Sequence, residues 1–475
     1  MSSDAAVLAD PTRGNHGRGR ETAALTHALT GLAGASIEWY DFLLYATAAA
    51  LVFPTLFFSA TLSPFVALIA SFSTFAVGFV ARPIGAVLFG YMGDRVGRKA
   101  AFAAALIMMG AATTLIGFLP SFRTAGALAP LALTLLRLMQ GLAVGGQWGG
   151  AILLATESVS KSRRGLYGSI AQAGLPVGLV LANLAVLIAN GAMSPAAFMA
   201  YGWRIPFLFS IVLVGLGLFI HFCVEDTIAF RKLRTTNPLP IDTSGMGSTP
   251  DATADATKPL RRTTSPLQQC FRSYLRLILL AAGANVGAML SFYILITYVI
   301  AYGTSAAGLQ LPRSTMLTAL LMAQVVFLPA IIFAGTLSDH FGRRRMFMTG
   351  VALGGVWGFI LFPMIDTHSL LWITAAISIG LFFVALSYGP MAAMFAELFD
   401  TGVRYCAVSL AYQISAIVGG ALAPIIATGL YARYHSNISI AVYMAGASAL
   451  SLVCANMLRK TRATDLDRHS EPAVA

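Results

Sequence analysis

Glu38, Asp41 and Arg137 are ionisable residues set inside long apolar stretches of this 475-residue chain. A charge at the centre of a membrane helix costs about 2.5–3.5 kcal/mol on insertion scales, so three together would cost roughly 8–10 kcal/mol. That is comparable to the stability of a whole domain, so the three must be paired or face water. Two chemistries suit them. A carboxylate such as Asp41 takes a proton when its cationic partner leaves it. An arginine donates two parallel hydrogen bonds to a carboxylate, which suits Arg137 to an organic acid. Asp41 and Arg137 are natural partners if their helices line one cavity. Arg137 then either binds a substrate carboxylate or releases Asp41 to a proton. Glu38 supports Asp41 as proton carrier or replaces it.

The tract that starts at Arg137 continues Leu138-Met139-Gln140-Gly141-Leu142-Ala143-Val144-Gly145-Gly146-Gln147-Trp148. At helical spacing Arg137, Gln140, Val144 and Trp148 share one face. The expected substrate contacts are Arg137, Gln140, Gln147 and Trp148, with Tyr45 near Asp41, and Gln172, Asn285 and Tyr388 further along. Asn183, Gln324 and Gln413 are additional polar candidates. Each amide also reads as a hydrogen bond that ties two helices together.

These residues need helices to hold them, and the composition says in what solvent. The chain is 57% hydrophobic and 11% charged, with a mean hydropathy of +0.76. Soluble domains average roughly 25% charged residues, too many for this chain to match. Apolar spans long enough to cross a bilayer recur at 28–53, 64–91, 100–118, 127–155, 165–189, 203–224, 274–302, 314–336, 346–365, 370–395, 405–430 and 438–458. The sequence therefore predicts an all-α membrane protein of twelve transmembrane helices.

The net charge of +12 is unevenly spread. Basic residues cluster in alternate loops: Arg95, Arg98, Lys99; Lys161, Arg163, Arg164; Arg231, Lys232, Arg234; Arg343, Arg344, Arg345. The other loops hold little beyond Arg123, Arg313 and Arg433. This is the positive-inside pattern, which places both termini in the cytoplasm and argues against a nucleic-acid footprint. Residues 1–26 lack an apolar core followed by a cleavage site, so no removable signal peptide is expected. Cys223, Cys270, Cys406 and Cys454 sit near cytoplasmic ends and form no CxxC, which suits reduced structural thiols.

One loop occurs twice. Gly90-Tyr91-Met92-Gly93-Asp94-Arg95-Val96-Gly97-Arg98-Lys99 returns as Gly335-Thr336-Leu337-Ser338-Asp339-His340-Phe341-Gly342-Arg343-Arg344, 245 residues on. An internal repeat in an apolar chain means two bundles facing each other, as in transporters. Asp94 suits a neighbouring helix N-terminus, where negative charge is favoured. Arg95 or Arg98 suits a carboxylate such as Glu157. Asp339, Arg343, Glu397 and Arg404 hold the equivalent places. Contacts that form in one conformation and break in another make these eight a gate.

Residues 225–272 are rich in Pro, Thr, Ser, Asp and Lys and separate six spans from six. The expected organisation is a cytoplasmic tail (1–27), a six-helix bundle (28–224), a cytoplasmic linker (225–272), a second six-helix bundle (273–458) and a cytoplasmic tail (459–475). Gly141, Gly145 and Gly149, and Gly174 and Gly178, recur every four residues, which lets helix backbones approach closely. No metal-ligand cluster, nucleophile elbow or Walker loop is present, so neither an enzyme nor an ATP-driven pump is expected. Neither is a cofactor or metal.

Gly90 to Lys99 resembles the signature loop of the major facilitator superfamily. Ile37-Glu38-Trp39-Tyr40-Asp41-Phe42-Leu43-Leu44-Tyr45, Arg137 to Gly150 and Gly202-Trp203-Arg204-Ile205-Pro206-Phe207 resemble its metabolite:proton symporter family, nearest the shikimate-permease-like branch. The resemblance spans residues 28 to 458. It implies an inner-membrane importer of organic acids or zwitterions such as shikimate, 2-oxoglutarate, citrate, proline or betaine. Two positions depart from the pattern. The family usually carries Glu where this chain has Gln147, which removes one proton carrier, and His340 stands where the first loop copy has Arg95.

The reading is a two-bundle secondary transporter working by alternating access, with proton-coupled uptake of a small organic acid or zwitterion. Its partners are that substrate, protons and the lipid bilayer, in a bacterial inner membrane, as a monomer. The alternatives are an exporter, an uncoupled facilitator, or a non-transporting membrane sensor.

Overall fold

The computed structural model describes residues 11–59, 61–62, 64–223, 266–304 and 308–458. Most of the expected linker (224–265) and the end segments 1–10 and 459–475 lie outside the described residues. The first bundle comprises α1 (Pro11–Leu51), α2 (Pro64–Arg95), α3 (Arg98–Phe118), α4 (Leu128–Glu157), α5 (Arg164–Gln172 continued by Gly174–Gly191) and α6 (Arg204–Phe209 continued by Ile211–Cys223). The second comprises α7 (Leu275–Thr304), α8 (Arg313–Phe341), α9 (Arg343–Ile365), α10 (Leu370–Leu398), α11 (Arg404–Tyr434) and α12 (Ile438–Met457). Among the described residues ten helices are long and apolar enough to cross a membrane. With α1 and α2, of 41 and 32 residues, the count is twelve, and no strand occurs among the described residues.

The helix α1 starts at Pro11, well before the apolar span that begins at residue 28. Hydropathy locates the crossing, whereas the backbone continues helical through the polar residues ahead of it. The repeated loops are tight because of their last glycine. Gly97 (φ 147°) and Gly342 (φ 93°) end α2 and α8 and start α3 and α9, in a backbone region that side chains disfavour.

Glycines then set how closely helices approach. A Cβ at Gly141 or Gly145 would overlap the α2 backbone at Gly78 and Arg82, and one at Gly85 would overlap the Leu142 carbonyl. A Cβ at Gly174 or Gly178 would likewise strike α1 at Leu32 and Ser36. This is small-residue packing, in which backbone contact replaces a hydrophobic driving force absent in lipid. Within the second bundle α8 and α9 pack on α10, and α7 and α9 on α12. Across the seam α2 meets α11, α5 meets α8 and α10, and α4 meets α11. The seam therefore runs beside the residues that carry charge.

Candidate functional site

The α1–α4 contact buries a polar network. Asp41 is fully buried and Arg137 is 4% exposed. Their ion pair is long, 3.9 Å from Arg137 Nη1 to Asp41 Oδ2, and Gln140 bridges them. Its Oε1 accepts from Arg137 Nη1 at 3.0 Å, and its Nε2 donates to Asp41 Oδ2 at 3.0 Å and to Thr113 Oγ1 at 2.6 Å. Guanidinium only donates and carboxylate only accepts, so the amide orientation is dictated by its neighbours. The Arg137 guanidinium lies 3.9 Å from the Tyr45 ring centroid, and the Tyr45 hydroxyl bonds Thr74 Oγ1 at 2.6 Å. Asp41, Gln140, Arg137 and Tyr45 thus form one cluster inside the first bundle.

The other expected substrate contacts lie along the seam. Trp148 stacks on Tyr412 of the second bundle, with centroids 4.0 Å apart. Gln172 donates to the backbone oxygens of Tyr388 and Gly389 in α10, and Gln413 donates to Val144 O at 3.2 Å. Asn285 donates to Ser415 Oγ at 2.8 Å. Trp39, Asn285, Phe292, Phe327, Tyr388 and Tyr412 help line a central cavity of ≈ 10 Å³, about one water's worth. The bundles are therefore closed on each other at mid-height. Gln147 stands apart from this cavity and donates to Ala105 O of α3 at 3.4 Å. Asn183 bonds its own helix, at Leu179 O.

Glu38 occupies a different place from Asp41. It is 6% exposed and lies within electrostatic reach of Arg82 of α2 and of Tyr388 and Tyr412 of the second bundle. The Arg82 guanidinium lies 4.1 Å from the Phe79 ring centroid and 5.6 Å from that of Phe42. Arg82 was absent from the residues expected to do chemistry. It sits eight positions before Gly90 beside Pro83, where it reads as part of the basic loop. Counting charges strictly inside the 64–91 span would have found it.

One end of the seam is held by two matching latches. Asp94 accepts the backbone N–H groups of Tyr405 and Cys406, both at 3.0 Å, at the start of α11. Arg98 pairs with Asp94 at 2.6 Å, lies 3.5 Å from Glu157, and donates to Thr401 O across the seam. Arg404 of the second bundle pairs with Glu157 at 2.8 Å. In the other latch Asp339 accepts the N–H groups of Gly165 at 2.9 Å and Leu166 at 3.1 Å, at the start of α5. Arg343 pairs with Asp339 at 3.2 Å and Glu397 at 3.3 Å, and Arg164 pairs with Glu397 at 3.5 Å. Each aspartate thus sits on the positive end of a helix from the opposite bundle. Arg95 stands outside the latch, exposed beside Tyr91 of its own helix, because Arg98 is the arginine turned toward Glu157. Arg164, counted only as a loop cation, is a latch residue.

The family described as sugar (and other) transporter matches residues 27–467, and the chain belongs to it and to the major facilitator superfamily. The chain is 37% identical over 437 residues to an inner membrane metabolite transport protein, YhjE, of Escherichia coli, covering 91% of this chain and 94% of that one. It is 36% identical over 455 residues to the shikimate transporter of the same species, covering 95% and 98%. Among solved structures it resembles a proton:xylose symporter, XylE, at 16% identity, with a TM-score of 0.71 over 95% of this chain and 100% of that one, which speaks to the fold. The chain is accordingly a multi-pass membrane transporter of small metabolites and not an enzyme.

Proposed function

We propose that this transporter takes up a small organic acid together with protons, by alternating access, as a monomer in a bacterial inner membrane. Both termini and the two latches then face the cytoplasm, in line with the basic loops. The observation that carries the coupling is the buried Asp41–Gln140–Arg137 chain. An intramembrane carboxylate with a conditional partner is the minimal proton carrier. Protonating Asp41 removes the charge that orders Gln140 and Arg137, and so loosens α1 from α4. The same α4 carries Trp148 at the seam and Glu157 in the latch. Twenty residues of helix separate Arg137 from Glu157, roughly 30 Å, so one rigid element touches the proton site, the cavity and the gate. Of the two roles open to Arg137, releasing Asp41 fits this geometry better than holding substrate. The names of two relatives, a metabolite transport protein and a shikimate transporter, support a small metabolite such as an organic acid as cargo.

The test is uptake into de-energised proteoliposomes with an imposed pH gradient, screened over shikimate, 2-oxoglutarate, citrate, proline and glycine betaine. Accumulation of an acid driven by inward protons is the expected result. Equilibration without accumulation would make the protein a facilitator, and substrate movement against inward protons an exporter. Binding without flux would make it a sensor. Preference for proline or betaine over every acid would shift the cargo to zwitterions.

A further inference from the structure

We infer that the end of the second bundle opposite the latches holds a site for a primary ammonium group, separate from the central cavity. The site stands whichever cargo the protein carries. It is a cavity of ≈ 320 Å³, within the range of small-molecule sites, roughly 300–1,000 Å³. It lies between the last turns of α7, α9 and α11 and the first turn of α12, where Tyr302, Phe362, Asp366, Tyr431, His435 and Asn437 line it. Arg343 of the latch begins α9 and Asp366 follows its last residue. The length of that 23-residue helix, roughly 35 Å, therefore separates the cavity from the latch.

Three features of the lining converge on one ligand chemistry. The first is a set of steeply inclined aromatic rings. Tyr302 meets Phe362 at 88° and Tyr431 at 71°, with centroids 6.1 and 5.3 Å apart. Rings inclined in this way wall the cavity on more than one side, and a π face attracts a cation. Tyrosines at the ends of membrane helices commonly form a belt at the membrane–water interface. This set differs, because Tyr302 is 7% and Phe362 2% exposed. The second feature is charge. Asp366 is the one carboxylate of the lining, which contains no Lys or Arg. The Tyr302 hydroxyl donates to Asp366 Oδ1 at 2.8 Å, which orients the carboxylate and leaves it lone pairs for another donor. The third is Asn437, whose side-chain oxygen is buried without a hydrogen-bond partner in the same lining. An unpaired buried acceptor costs stability, and a donor that arrives with a ligand relieves it.

A carboxylate and π faces without Lys or Arg select a positive ligand, and the acceptors decide its kind. A quaternary ammonium satisfies the rings but has no N–H for Asp366 or Asn437. A primary ammonium has three, enough for both acceptors while its charge rests against the rings. An anionic acid is repelled by Asp366, so the cavity is not a second copy of the transport site. Two sources supply a primary ammonium: a free amine, and the headgroup of an amine-bearing phospholipid. Phe359 of α9 and Ile438 of α12 line the cavity and are exposed, which leaves it accessible to either. Once bound, the ammonium ties four helices together at the end away from the latches.

The experiment follows thermal unfolding of the full chain and of Asp366→Asn in dodecyl maltoside with added ethanolamine, at constant ionic strength. Ethylene glycol, similar in size but uncharged, and tetramethylammonium, charged but without N–H groups, are the controls. A parallel arm places both proteins in phosphatidylcholine nanodiscs, with and without phosphatidylethanolamine. Wild type is expected to be stabilised saturably by ethanolamine or by phosphatidylethanolamine, and by neither control. Asp366 is exposed, so its Asn variant is expected to fold, and to need at least about 10-fold more of the ligand, the worth of a hydrogen bond to a charged group. Stabilisation by free ethanolamine in detergent supports the site with a soluble amine as its ligand. Stabilisation only in discs that contain phosphatidylethanolamine supports it with a lipid headgroup. No saturable stabilisation in either arm overturns the inference, and so does an undiminished response of Asp366→Asn. Tetramethylammonium matching ethanolamine would overturn the primary-ammonium assignment. Failure of proton-driven uptake, measured separately, would defeat the proposed function and leave this site untouched.

Discussion

Replacing Asp339 by Asn should open the gate at the other latch as well as its own. The Asp339 carboxylate accepts two backbone N–H groups from the start of α5, at 2.9 and 3.1 Å. Both bonds cross the seam, whereas the Arg343 contact lies within the second bundle and survives opening. Hydrogen bonds to a charged group are worth about 1.5–3 kcal/mol each, and an asparagine oxygen keeps one ordinary bond of about 1 kcal/mol, so the closed state loses about 2–5 kcal/mol. At 1.4 kcal/mol per factor of ten, the closed-to-open ratio falls about 30- to 3000-fold. The chain carries its own reporter. Cys406 is 1% exposed in the opposite latch, where its N–H binds Asp94. With Cys223, Cys270 and Cys454 replaced by Ser, maleimide labelling of Cys406 measures opening of the first latch. If the two latches form one gate, Asp339→Asn accelerates that labelling at least about 30-fold, up to the limit of the fully open state. Unchanged labelling of Cys406 in this variant, with transport altered or not, would show that the latches are not coupled, and the gate argument would fail.

Asp41→Asn should abolish proton-driven accumulation while leaving substrate exchange, because the amide cannot carry the proton; undiminished accumulation at wild-type expression would move the carrier elsewhere. Arg137→Lys should fail in accumulation nearly as badly as Arg137→Ala, since an ammonium cannot both bond Gln140 and cover the Tyr45 ring; a Lys variant with most of its activity would reduce Arg137 to a bare charge. Gly165→Ala should open the gate without removing any charge, because its Cβ would strike the Gly335 carbonyl across the seam; the readout is faster Cys406 labelling at an unchanged melting temperature. Gly85→Ala, whose Cβ strikes Leu142 inside one bundle, should instead lower the melting temperature.

The twelve crossings were readable because lipid demands uninterrupted apolar helices, and the two halves because a charged loop recurred. The partner of Asp94 was legible in kind, a helix N-terminus, since an acid flanked by apolar spans has few other neighbours. Three things stayed hidden for one reason: a linear sequence does not say which way a side chain turns. Arg164 looks like its neighbours Lys161 and Arg163, yet it is buried and reaches Glu397 in an ion pair. Arg95 and Arg98 are equivalent on paper, and the helix phase set by Gly97 sends only Arg98 inward. Arg82 lies close enough to the loop to pass for a topology signal, and only the packing of α1 on α2 shows it turned onto the Phe42 and Phe79 rings. Gln140 was legible as polar and buried, but not as the bridge between Asp41 and Arg137, because that needs three helices in place at once.

Each latch aspartate grips main chain rather than side chains: Tyr405 and Cys406 in one case, Gly165 and Leu166 in the other. Every amino acid but proline supplies the same N–H. The side chains at 166, 405 and 406 take no part in these bonds, while proline at any of them would delete a bond outright. The aspartates have no such licence. Two locks that each depend on a single aspartate would let the moving surfaces of the two bundles change to suit different cargoes while the bolt that holds them stays the same.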